Sequence, residues 1–289
     1  MKYILNCFRG FIMALADSVP GVSGGSIAFI LGFYDLFVCS LNDLIFGPFD
    51  KKKKAITFLA NLGLGWIVGM GLASLILASV FKKYIYELSS LFLGFILFSI
   101  FQIVKEEKSN IEGHYSKFVF LIFGVLIVSG ITYFSSGTFN VVSINRLNFG
   151  LLLYLLLAGI VAISAMILPG ISGSTLLLIF GLYVPIINGI KELIKFNFAY
   201  FPALFVFGIG VLIGAVFLSK LLKNLLDKHR STMIYLIIGL MIGSLYSIIM
   251  GPKSVDASNL AINFSNFKFV FFFIGIFLVY GLEKVKKAA

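Results

Sequence analysis

The sequence predicts an all-α polytopic membrane protein of two inverted-topology repeats, each a broken or re-entrant helical hairpin followed by three transmembrane helices. Composition, an internal duplication and the placement of basic residues predict it. Of 289 residues, 60% are hydrophobic and 12% charged, with a mean hydropathy of +1.07. Apolar runs of about 17 to 25 residues recur along the chain, enough to cross a hydrocarbon core ~30 Å thick. A net charge of +11 would suit nucleic acid, but the 23 Lys and Arg sit almost wholly between apolar runs, where they orient membrane helices. The expected partner is lipid, with no nucleic acid.

The duplication is visible in small residues. "PGVSGGS" at Pro20 to Ser26 returns as "PGISGST" at Pro169 to Thr175, and Gly32 and Tyr34 of "LGFY" meet Gly181 and Tyr183 of "FGLY". Further on, Gly63, Gly65, Gly69 and Gly94 fall on Gly208, Gly210, Gly214 and Gly239. "KFVF" at Lys117 recurs at Lys268, with Gly124 and Gly130 over Gly275 and Gly281. Colinear matches over the whole chain divide it into a first membrane repeat, 1–146, and a second, 147–289.

Each repeat reads as a broken element A (4–46; 150–190) and plain apolar segments B (55–80; 200–219), C (88–104; 232–250) and D (117–134; 268–282). The N-terminal stretch lacks a cleavage site and reads as part of the first membrane element. If A enters and returns on one side, 16 of the 23 basic residues lie inside; if A crosses once, the bias vanishes. Each half then crosses an odd number of times, so the second is inverted and both termini are cytoplasmic. Arg9, Asp17 and the short first arm favour re-entry in the first half; re-entrant hairpins and ten full spans both fit the sequence. Glycines spaced as Gly63, Gly65 and Gly69 read as helix-packing contacts. Cys7 and Cys39 have no metal-site or disulfide spacing and read as membrane-buried thiols.

Inverted repeats with a matching interrupted helix are the signature of a secondary transporter whose site lies where the breaks meet. Pro and Gly free backbone groups that a bilayer tolerates only inside protein or along a wet cavity. After each break, Ser23, Gly24, Gly25 and Ser26, and Ser172, Gly173, Ser174 and Thr175, open a new helical arm. Its first N–H groups and hydroxyls suit an anion, phosphate above all. Asp17 has no counterpart, since Met166 occupies its repeat position. It reads either as a coupling-proton site or as a cap for the next arm. Arg9 is expected to snorkel or to offer charge to a headgroup. The lysine run at Lys51 to Lys54 fixes topology and attracts anionic headgroups.

"ADSVPGVSGGSIAFILGFYD" with "LPGISGSTLLLIFGLY" resembles the DUF368 family of bacterial membrane proteins, and the resemblance covers essentially the whole chain. It implies a flippase returning undecaprenyl phosphate, the lipid carrier of cell-wall synthesis, from the outer to the inner leaflet of the cytoplasmic membrane. The matching positions are Asp17, Ser18, Pro20, Gly21, Ser23, Gly24, Gly25 and Ser26, then Pro169, Gly170, Ser172, Gly173, Ser174 and Thr175. No cofactor or metal is expected beyond a coupling proton or cation. Inward movement of an anion opposes an inside-negative potential by roughly 2.3 kcal/mol per charge per 100 mV, so a proton on Asp17 would help. The rival is a carrier or channel for a small inorganic anion. A lipid-phosphate enzyme fits less well: His114 and His229 lie in loops, with no HExxH pair, P-loop or acid cluster for Mg²⁺.

Overall fold

The structure, a computed structural model, describes residues 2–18, 22–135, 142, 144, 148–255 and 259–288. Pro20, Gly21 and the expected junction at 146/147 lie outside the described residues, as does the side chain of Ser174. Every regular element described is helical. The first half contains α1 (Lys2–Asp17), α2 (Gly24–Ile30), α3 (Tyr34–Phe46), α4 (Phe49–Lys83), α5 (Ile85–Glu106), α6 (Lys108–Ile111) and α7 (Phe118–Ser135). The second contains α8 (Phe149–Ile167), α9 (Gly173–Ile179), α10 (Tyr183–Ile194), α11 (Phe201–Lys228), α12 (Arg230–Val255) and α13 (Phe269–Ala288). A long arm, a seven-residue arm, a short helix and three long helices thus follow one another in both halves.

Among the described residues six helices are long and apolar enough to cross a membrane, and the bent pair α2 and α3, at 118°, makes up to seven. The chain is a multi-pass membrane protein. With 19 residues, or about 28 Å, α8 is one of the six, whereas the 16-residue α1 is not. Segments B run further than hydropathy indicated, since α4 begins at Phe49 and α11 continues to Lys228. Lysine and leucine are good helix formers, so the helix continues past the edge of the apolar window.

Glycine marks the close crossings, in equivalent places in the two halves. A Cβ on Gly10 would strike the Leu62 carbonyl, and one on Gly159 the Phe207 carbonyl. Gly65 lies against Cys7 and Gly69 against Phe11, so α1 runs parallel to α4; Gly210 against Leu156 and Gly214 against Ile160 make α8 parallel to α11. Gly63 and Gly208 have open space instead, as do Gly130 and Gly281. Small residues let membrane helices approach backbone to backbone.

The remaining long helices exchange partners between halves. On α5, Gly94 lies against the Phe272 carbonyl of α13, and Gly275 of α13 lies against Leu91. Gly239 of α12 meets the Leu121 carbonyl of α7, and Gly124 meets Leu236 in return. At the centre is α12, whose Met233, Ile234, Ile237 and Met241 are fully buried.

Three ion pairs that join different helices collect on one side. Arg230, opening α12, donates to Asp35 on α3 at 2.8 Å and grips Glu107, just past α5, through Nε and Nη2; Lys223 on α11 donates to Asp43 on α3 at 2.9 Å. The end of α3, the start of α4 and the end of α11 therefore lie together. Tyr3 and Asn6 of α1 share a pocket there with Asp43 and Lys51, so the first broken element starts and finishes on the same side. We call this the basic side.

Gly94→Leu and Gly239→Leu are expected to lower stability by about 1–3 kcal/mol or more, read as a reduced unfolding temperature in detergent, because each side chain would separate two helices. The same change at Gly63 or Gly208 is expected to leave it unaltered.

Candidate functional site

The two breaks pack against each other. Ser23 donates its hydroxyl to the Leu168 carbonyl at 3.1 Å, and Gly170 N–H donates to Ser26 Oγ at 2.8 Å. Both serines are fully buried. Gly25 admits this approach, since a Cβ would lie 2.7 Å from the Ile167 carbonyl oxygen. The first break thereby supplies polar partners to backbone groups of the second.

The arms leave the breaks by matching turns. Gly32 and Gly181 take φ of +71° and +63°, left-handed values that glycine adopts without strain. Phe33 N–H then bonds back to Ala28, and Leu182 N–H to Leu177, closing α2 and α9 as Schellman turns. The Gly-x-Tyr repeat is therefore a helix stop and restart. Tyr34, the first residue of α3, is fully buried, and its hydroxyl has no hydrogen-bond partner among the described residues.

At the start of α2 the helix donors are already engaged by the chain. Gly24 N–H donates to Asp17 Oδ1 at 2.7 Å, Gly25 N–H to Ser23 Oγ at 3.1 Å, and Ser26 N–H to the Ser23 carbonyl at 3.0 Å. Asp17 Oδ2 accepts from Trp66 Nε1 of α4 at 2.9 Å. Asp17 thus has the capping geometry that was one of its two readings, with a tie to α4 besides. The close approach that glycine permits is made by the chain: Asp17 crowds Gly24, and Met166 crowds Gly173 in the same relation. In the second half Ser172 is the buried N-cap residue of α9 but bonds no helix N–H through its side chain. Among the described residues no carboxylate caps the start of α9 as Asp17 caps α2.

Other expected site residues fall further out. Ser18 turns its hydroxyl back onto the Leu15 carbonyl at 2.6 Å, finishing α1. Thr175 lies half-buried in the first turn of α9. Arg9 donates to Asn6 at 3.1 Å and holds its guanidinium 4.8 Å from the centre of the Phe33 ring, with no acid in salt-bridge range among the described residues. Sequence reasoning missed Trp66, 49 positions from Asp17, and the Arg230 and Lys223 ion pairs to α3. The acidic residues Asp35 and Asp43, spaced eight apart on a short helix facing basic segments elsewhere, were the available signal for the latter.

A family model described as VCA0040-like, undecaprenyl phosphate translocase-like, matches residues 13–263, a span that includes both breaks. The chain belongs to this family. Two relatives named polyprenyl-phosphate transporter are similar to it. The one from Staphylococcus aureus is 32% identical over 248 residues, 86% of each chain. The one from Vibrio cholerae is 32% identical over 258 residues, 86% of this chain and 78% of its own. No solved structure matches.

Within this translocase-like family member, a methyl on Gly24 would lie 2.6 Å from Asp17 Oδ2. Gly24→Ala and Asp17→Ala are each expected to destabilise by about 1–3 kcal/mol, through a clash and through unpaired donors respectively. The double variant is expected to lose less than the sum, as a double-mutant cycle by thermal unfolding would read. Tyr34→Phe removes an unpaired buried hydroxyl and is expected to raise stability, by up to about 1–2 kcal/mol.

Proposed function

We propose that the protein is a flippase that carries a polyprenyl phosphate, undecaprenyl phosphate in the first place, from the outer to the inner leaflet of the bacterial cytoplasmic membrane. The family's description and the relatives' names support transport of such a lipid. The observation that carries the mechanism is the bonding of the first break's serines to the backbone of the second. An anion at the bilayer centre costs from a few to more than ten kcal/mol, so a polar crossing that replaces its hydration is what the protein must supply.

The halves act as an inverted repeat and exchange access by rocking. As the breaks part, the Ser23 and Ser26 hydroxyls and the Gly170 N–H lose each other and become three donors for the headgroup. The Tyr34 hydroxyl adds a fourth, while the polyprenyl tail stays in lipid. The starts of α2 and α9 frame this passage; since the α2 donors are engaged, the α9 end and the released hydroxyls carry the larger share.

Asp17 couples the movement to a proton. As a carboxylate it accepts from Gly24 and Trp66 together; protonated, one oxygen becomes a donor and the cap on α2 loosens. Both termini lie in the cytoplasm, on the basic side.

The test is leaflet movement of labelled undecaprenyl phosphate in liposomes, followed by accessibility of the phosphate to an external binder. Movement above protein-free liposomes is expected, with a response to an imposed pH gradient. Passage of inorganic phosphate without lipid movement would refute the lipid assignment. Ser23→Ala with Ser26→Ala should slow movement at least about tenfold, the loss of one or two charge-assisted bonds. Tyr34→Phe should slow it while the protein grows more stable. Asp17→Asn, which cannot ionise, should move lipid without answering to the gradient; an undiminished response would remove Asp17 from coupling.

A further inference from the structure

The basic side carries a second site, distinct from the meeting point of the breaks. Between α1, α3 and the start of α4 lies a pocket of about 690 Å³, lined by Lys51, Lys53 and Lys54, by Asn6 and Thr57, and on its apolar side by Phe58 among others. None of the three lysines has an acidic partner among the described residues. The only acid in the lining, Asp43, is bonded to Lys223 on its far side at 2.9 Å. The pocket therefore has net positive charge beside apolar walls.

The cavity on the opposite flank of α3, about 820 Å³, makes the contrast. There Lys223 is paired with Asp43, Asp227 lines the wall, and Lys220 lies over the Phe46 ring. Its charge is nearly balanced.

Two features give the Lys51 pocket a direction. Asn6 in its wall accepts from Arg9, whose guanidinium lies over Phe33, the residue that joins α2 to α3. A cation without an acid thus stands between the pocket and the break. On the other side the pocket is bordered by Tyr3 and Leu36, both turned outward, beside the exposed Ile4 and Phe8 of α1. A charged head in the pocket would leave an attached chain lying along apolar surface that faces the hydrocarbon.

We propose that this pocket is a docking site for a phosphate monoester headgroup bearing an apolar tail: Lys51, Lys53 and Lys54 hold the phosphate on the basic side, and Arg9 is the next cation on its way to or from the breaks. The proposal rests on the transport reading and adds to it where the lipid stands before or after crossing. Lysine suits the task, as flexible ammonium point charges grip a phosphate without the fixed geometry of a bidentate arginine.

The test uses the intact protein in nanodiscs, with farnesyl phosphate as the lipid probe and inorganic phosphate as the free one. Amine-reactive labelling read by mass spectrometry is expected to show Lys51, Lys53 and Lys54 protected by farnesyl phosphate, with Lys52, outside the pocket lining, and Lys117 labelled as before. Inorganic phosphate at equal concentration is expected to protect none. Equal protection by both probes would make this a free-phosphate site and overturn the headgroup assignment, and protection of all lysines alike or of none would overturn the pocket. Replacing the three lysines together by Gln should weaken farnesyl phosphate binding about tenfold or more, and by Arg much less, while screening by salt should narrow the difference. If the unaltered protein moves undecaprenyl phosphate but these lysines stay unprotected, the docking site alone fails. If it moves none while they are protected, the transport reading fails and the site stands as a lipid-phosphate receptor.

Discussion

A bilayer offers no water to a broken helix, and that constraint shapes this molecule. Each break interrupts helical bonding where an unpaired backbone group costs several kcal/mol. The solution lies in the first break, whose Ser23 serves the Leu168 carbonyl and whose Ser26 serves the Gly170 N–H of the second. Two hydrogen bonds link the serines of the first break to the backbone of the second, inside an apolar core that Val22, Ile27 and Ile167 share.

The surroundings of this contact divide into long helices tied to their neighbours and the short arms between them. The glycine crossings of α1 on α4 and of α8 on α11 fix each long arm to its neighbour. The α3 helix is tied to the other half by Arg230 and Lys223. Between them the seven-residue arms α2 and α9 are short, turned at both ends and capped differently, one by a carboxylate and the other not. The duplication therefore gives similar frames with dissimilar polar ends.

Much of this was legible in the sequence because glycine leaves a one-dimensional trace. Its matched spacing marked the crossings at Gly65, Gly69, Gly210 and Gly214 but also Gly63 and Gly208, which face open space, and the Pro-Gly and Ser-Gly runs pointed to the breaks and their meeting. The turn at Gly-x-Tyr was visible as a repeat but not as a Schellman stop, since only backbone geometry reveals the left-handed residue. What escaped was partner choice. Gly94 announces a close neighbour without naming it, and periodicity within α5 is the same whether that neighbour is α7 or α13. The carboxylate of Asp17 was weighed as a proton site or a cap, but Trp66 enters only through the α1 and α4 packing. The lysine run read as a topology signal because charge counting ignores which three of the four lysines share a pocket.

The exchange of helices between halves bears on how the protein is made. The face of α5 that carries Gly94 packs on α13, whose first residue lies 163 positions beyond the end of α5. At translation rates of ~5–20 residues per second, α5 waits roughly 10–30 s in the bilayer before its partner is synthesised. Through that interval its groove of small residues lies open to lipid or to the insertion machinery. This pair forms only when α13 arrives.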